Sequence, residues 1–157
     1  MSTPPVPENL SAVIPYLVVD GAVRALDFYR EAFAAVETMR LTYPDGRIGH
    51  AEIRIGGAAI MLADEHPEED CMGPATFGGS AVGLMLYVAD VDAAFARAVA
   101  AGARVKRDLR DEFYGDRAGH LVDPFGHQWT LASRIEEVSA EELRRRFEAA
   151  VGSASAA

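Results

Sequence analysis

The chemistry in this chain is concentrated in its histidines, one Glu-x-Arg pair and a single cysteine. His50 and His120 each follow a glycine, in GHAEIRIGG and GHLVDPFG. Imidazole titrates near neutral pH, so two of them in one cavity can serve as general acid and base or as hydrogen-bonding groups for a ligand. Each can equally make a structural bond. Alternation decides where they point: Ala51, Ile53 and Ile55 must pack on a core, so His50, Glu52 and Arg54 turn the other way. Glu52 and Arg54, two apart on one strand, either pair with each other or reach a ligand. Met61, Met85, Tyr87, Gln128 and Thr130 share the His50 and His120 face by the same parity, giving soft and aromatic walls with few polar groups. Tyr114 is a lid or a packed aromatic. Asp116 and Arg117 read as anchors of a loop at the mouth, and Trp129 as core. His127, just after a turn, reads as structural, and His66, in an acidic loop, as solvated. Cys71 has no activating base near it in sequence, which argues against a nucleophile.

The elements that carry these residues follow from period and punctuation. Val13–Val19 is a strand ended by Asp20-Gly21, and 22–34 has helical spacing through Val23, Leu26, Tyr29 and Phe33. Val36–Thr42 and Arg47–Ile55 flank the turn Tyr43-Pro44-Asp45-Gly46, and 58–63 follows Gly56-Gly57. After the acid-rich, Gly/Pro-punctuated stretch 64–80 the order repeats: strand 82–89, helix 91–101 before Gly102, strand 103–109, charged loop 110–116, then strands 119–122 and 127–131 around Asp123-Pro124-Phe125-Gly126. Ser139-Ala140-Glu141-Glu142 is a capping box that opens a tail helix, and GSASAA should fray.

LVVD at 17–20 sits over YVAD at 87–90, and GHAEIRIGGAAIMLA from Gly49 over GHLVDPFGHQWTLA from Gly119. The chain is therefore read as two βαβββ modules at 12–63 and 82–133. They are joined by a linker or lid at 64–81, preceded by a disordered or extended 1–11 and followed by a tail at 134–157. The fold class is α+β. Two such modules side by side curl into a cup-shaped mixed sheet, with helices on the convex face and a cavity inside.

Composition narrows the function. The 157 residues suffice for one domain with a sizeable core. A net charge of −9 repels nucleic acid and anionic membrane surfaces and favours neutral or cationic ligands. With Cys71 as the only cysteine there is no internal disulfide and no Cys-cluster zinc site, and a reducing cytoplasm is the natural setting. No apolar run approaches a membrane span, and the start has no export pattern.

The repeated βαβββ order, the V-x-D that opens the first helix, the FY within it and the DP.G before the last strand resemble the vicinal oxygen chelate superfamily. That superfamily includes glyoxalase I, extradiol dioxygenases, fosfomycin-resistance and bleomycin-binding proteins. The strings YGDRAGHLVDPFGHQW and GHAEIRIGG, with the VSAEEL tail, look like its PhnB-like branch. The resemblance implies a homodimer. It also implies four ligand positions in metal-using relatives, which fall here on Val13 or Ile14, Met61, Gly83 or Leu84, and Thr130; none can hold a divalent ion. In fosfomycin-resistance relatives the position three before the Asp-Pro turn carries a substrate-contacting Tyr, and here it is His120. The reading is thus a metal-free, cofactor-free protein that binds or sequesters a small organic molecule, as bleomycin-binding relatives do. Two alternatives remain. One is an enzyme of the superfamily, either metal-dependent (lyase, isomerase or dioxygenase) or working by His50/His120 acid/base chemistry. The other is an interaction module using the acidic linker and tail helix.

Overall fold

The computed structural model describes residues 3–154, so the expectations for residues 1–2 and 155–157 lie outside it. The first module runs β1 (Tyr16–Val19), α1 (Ala22–Phe33), β2 (Val36–Thr42), β3 (Ile48–Ile55) and β4 (Ala58–Asp64). A linker with a 3-10 turn (Pro67–Glu69) and the short α2 (Pro74–Phe77) leads to the second, β5 (Gly83–Tyr87), α3 (Val91–Ala100), β6 (Arg104–Asp111), β7 (Asp116–Val122) and β8 (Gln128–Arg134). The tail helix α4 spans Ala140–Ala154. Each module closes its own four-stranded mixed sheet, ordered β1-β4-β3-β2 and β5-β8-β7-β6, with only β1–β4 and β5–β8 parallel.

The helices form from amphipathic runs and bury one face: Leu26, Tyr29 and Phe33 of α1, and Val91, Ala94, Phe95 and Ala98 of α3, pack against the sheets and one another. Their N-termini are satisfied differently. Asp90 caps α3 locally by accepting from Ala93 N–H at 3.0 Å. Gly21, with φ of 97°, has no capping side chain; Asp64 from the end of β4 accepts from Gly21 N–H, Ala22 N–H and Ile48 N–H at 3.0, 2.7 and 2.6 Å. Asp64 is therefore a buried structural acid and no part of a solvated run.

Asp123 does the corresponding work between modules. It is 4% exposed; Oδ1 accepts from Phe125 N–H and His127 N–H, both at 2.9 Å, and Oδ2 from Tyr29 O–H at 2.7 Å and Trp129 Nε1–H at 2.9 Å. The Asp-Pro turn is thus tied to α1 of the other module, and Tyr29, Phe33, Phe125 and Trp129 form one aromatic cluster around it. His127 reinforces the junction, its Nε2 lying 3.0 Å from the Val18 carbonyl.

Several boundaries differ from the sequence reading: β1 begins only at Tyr16, not Val13, and β8 runs on to Arg134. β6 continues to Asp111 and β7 begins at Asp116, so the two ends of the charged loop are ladder and only 112–115 form the turn; charge alternating along an edge strand reads as loop although its backbone pairs. Helix α4 continues through Gly152 to Ala154, where fraying was expected. Ser139 Oγ does accept from Glu142 N–H, at 3.2 Å, as the capping box requires.

Candidate functional site

On β3, Ala51, Ile53 and Ile55 are buried while His50, Glu52 and Arg54 are half-exposed on the opposite, concave face, with Met61 from β4 beside them. On the second sheet Met85, Tyr87, His120, Gln128 and Thr130 occupy the corresponding face, and Leu84, Leu86, Leu121 and Trp129 the core side. Tyr114 lies in the β6–β7 loop against the Phe113 ring, and burial followed by the Glu112 charge pushes its phenol above the usual range.

Register refines the repeat. Tyr16 and Glu52 both pair with Met61, and Glu52 with Met39; Met85 and His120 both pair with Thr130, and His120 with Arg107. The row Tyr16–Met61–Glu52–Met39 therefore answers to Met85–Thr130–His120–Arg107, and Glu52, not His50, is the counterpart of His120. The two GH strings are offset by two residues because Ile55 and Ala58 close one hairpin with Gly56-Gly57, whereas Val122 and Gln128 flank a five-residue loop. An even offset leaves both histidines on the concave face. The match of LVVD to YVAD is one residue out: Leu17 answers to Leu86.

The first sheet carries a hydrogen-bonded string. Tyr16 Oη lies 3.0 Å from His50 Nδ1, and His50 Nε2 lies 3.3 Å from Glu52 Oε1. A carboxylate accepts only, so Nε2 carries the proton toward Glu52 and Nδ1 accepts from the Tyr16 hydroxyl. Burial, then Cys71 and Tyr43, raise the Tyr16 pKa, so the phenol stays protonated. Glu52 thus partners His50 and not Arg54, which instead donates to the carbonyls of Gly57 and Asn9 and holds the N-terminal segment.

On the second sheet burial, then the Arg107 charge, lower the His120 pKa. Arg107 pairs with Glu112 at 2.6 Å, while its buried Nη1 has no partner among the described residues. Tyr87 O–H donates to Asp116 at 2.5 Å, a bond that raises its pKa and ties the concave wall to the start of β7. Arg117 bridges Asp92 and Asp111. Gln128 is engaged at the strand's end by Lys106 and Ser80. His66 is 5% exposed and not solvated: its ring stands edge-on to Tyr43 and Nδ1 lies 3.1 Å from Arg47 Nη1, both in the β2–β3 turn, while an antiparallel bridge pairs its backbone with Cys71.

Sequence reasoning missed Tyr16 and Arg107. Tyr16 was legible as the concave-parity partner of Met61, and Arg107 became so only once β6 was paired with β7.

The model of the Glyoxalase/Bleomycin resistance protein/Dioxygenase superfamily matches residues 11–131, and the chain belongs to that superfamily. An uncharacterized protein of Mycobacterium tuberculosis is 46% identical over 136 residues, 85% of this chain and 80% of the relative. A solved Arabidopsis thaliana gene product, 28% identical, superposes with TM-score 0.64 over 78% of this chain and 98% of its own. The Bacillus cereus PhnB protein, 19% identical, shares the fold with TM-score 0.63 over 78% of this chain and 99% of its own.

Proposed function

We propose that this protein binds a small organic molecule on its concave faces without a metal. One observation carries the reading: the positions where the resemblance puts the ligands of metal-using relatives bear Ile14, Met61, Gly83 and Thr130, and among the described residues no three His, Cys, Asp or Glu side chains converge as a metal site requires. The residues do not fit a divalent ion. Tyr16, His50, His120 and the unpartnered N–H of Arg107 supply polarity, and Met61, Met85 and Tyr87 the apolar contact.

A homodimer and a reducing cytoplasm complete the reading. Val13, Val36 and Leu41 on one module, and Val82 on the other, stand 58% to 85% exposed in the single chain, an apolar surface that a second copy would cover. Holding a toxic compound out of solution is the use such a binder serves.

The Tyr16–His50–Glu52 string favours a second reading, metal-free acid/base catalysis. Glu52 holds one tautomer of His50, which can take a proton through the Tyr16 hydroxyl.

Thermal-shift titration with a panel of aromatic and heteroaromatic compounds, in EDTA and in added Mn²⁺, tests the proposal. Ligand-dependent rises in Tm that are the same in both buffers and shrink in His120→Ala and Arg107→Gln are expected. Rises that appear only with the metal would overturn it. Turnover of a bound compound, lost in His50→Ala, would move the protein to the second reading.

A further inference from the structure

We propose that the cavity between the linker and the second sheet is a separate binding site for an organic anion, a carboxylate or phosphate oxyanion joined to an apolar body. The cavity measures about 490 Å³, inside the range that small-molecule sites occupy. Pro74, Val122, Pro124 and Phe125 give it apolar walls, and Arg104 and Lys106 from β6 line it as well.

Charge bookkeeping across the strand singles those two cations out. Of the basic residues on β6, Arg107 and Arg110 both engage Glu112. Arg104 has no partner among the described residues and is exposed. Lys106, the only lysine in the chain, donates one N–H to Gln128 Oε1, and Gln128 Nε2 donates to the Ser80 carbonyl. That relay holds the ammonium at the cavity, ties the linker to the sheet and leaves two ammonium donors. Asp123 also lines the cavity, but both its oxygens are turned to Tyr29, Trp129 and the loop amides. The local charge left facing the space is positive, although the chain carries −9 overall. A guanidinium fork beside an ammonium matches an oxyanion, and the apolar walls match a hydrocarbon or ring attached to it. The entrance is open: a Cβ added at Gly78 or Gly79 would meet nothing within 4 Å. Apart from Gln128, no residue assigned above to the concave faces lines this cavity, so either proposal can fail alone.

The test uses octanoate, octyl phosphate, octylammonium and inorganic phosphate as probes on the full-length protein. Binding is followed by calorimetry, together with the rate at which an amine-reactive reagent labels Lys106 as read by peptide mass spectrometry. Octanoate or octyl phosphate should bind and slow labelling. Arg104→Gln should weaken binding by about 10-fold or more, as loss of a charge-assisted bond requires, and Arg104→Lys by less. His50→Ala and His120→Ala should bind like the parent. Octyl phosphate binding more tightly than octanoate would assign the phosphate form, and the reverse the carboxylate. Equal protection by octylammonium, unchanged affinity in a folded Arg104→Gln/Lys106→Gln variant, or no binding of either octyl anion at millimolar concentration would overturn the proposal. Inorganic phosphate binding as tightly as octyl phosphate would remove its apolar half.

Discussion

Asp123 is where one atom exchanged for another should cost most. In Asp123→Asn the Oδ1 atom can keep both loop amides, but Nδ2 replaces Oδ2 and presents a donor to Tyr29 O–H and Trp129 Nε1–H. The tyrosine hydroxyl can rotate and accept; the indole only donates. One buried donor is left unpaired at about 1–3 kcal/mol, and the remaining bonds lose their charge assistance, so a total near 3 kcal/mol is expected. Tyr29→Phe removes one donor and leaves Asp123 three, for about 1–2 kcal/mol. In a chain of this length the first corresponds to a fall in Tm of roughly 6–12 °C. Urea unfolding followed by the fluorescence of Trp129, the only tryptophan, reads both variants. A Tyr29→Phe loss equal to or above that of Asp123→Asn, or an Asp123→Asn loss below about 0.5 kcal/mol, within the range of an ordinary surface change, would refute Asp123 as the inter-module junction.

Other consequences are checked as directly. Burial, then the charge and hydrogen bond of Asp123, hold the Tyr29 pKa well above its usual value, so that stabilisation is full below the unfolded pKa of about 10 and is lost as pH rises past it. Tyr29→Phe should flatten the alkaline fall in stability, leaving a slope from Tyr16, Tyr87 and Tyr114; an unchanged curve would contradict this. His120 has its pKa lowered from 6.5 by burial and then Arg107, so its contribution is present above that value and disappears as pH falls through the folded pKa. Imidazole NMR should show it titrating below 6.5 and moving up in Arg107→Gln, and titration at or above 6.5 in the parent would count against the burial argument. Gly119→Ala would place Cβ 2.5 Å from Phe95 Cε2, and overpacking should cost about 1–3 kcal/mol by chemical denaturation. Gly57→Ala, which meets nothing within 4 Å, serves as the near-neutral control.

Much of the fold was legible because local signals and global packing agree. Both helices, both hairpins and the duplicated module order follow from period and turn chemistry. Face assignment survived an incorrect register because the GH offset is even, so His50 and His120 each lie on the half-exposed face of their own sheet under either match. What escaped depends on tertiary pairing. Asp64 looks like one more acid of the 64–80 stretch until two amides at the start of α1 and one at the start of β3 need an acceptor that Gly21 cannot supply. His66 is buried against Tyr43 and Arg47, and no spacing announces its backbone bridge to Cys71. The partner of Glu52 is set by whether His50 or Arg54 turns back along the strand, a rotamer choice outside any pattern of residue types. The cations of β6 gained meaning only when Glu112 was seen to take two of them.

The central claim, that this member of a superfamily with metal-using relatives holds its ligand with side chains alone, is tested most directly by elemental analysis with native mass spectrometry of protein purified without added metal. A dimer mass with no stoichiometric divalent ion is predicted, and any organic adduct should be lost in His120→Ala. One divalent ion per chain would contradict the account, because it would mean that residues other than Ile14, Met61, Gly83 and Thr130 assemble a metal site on the concave faces.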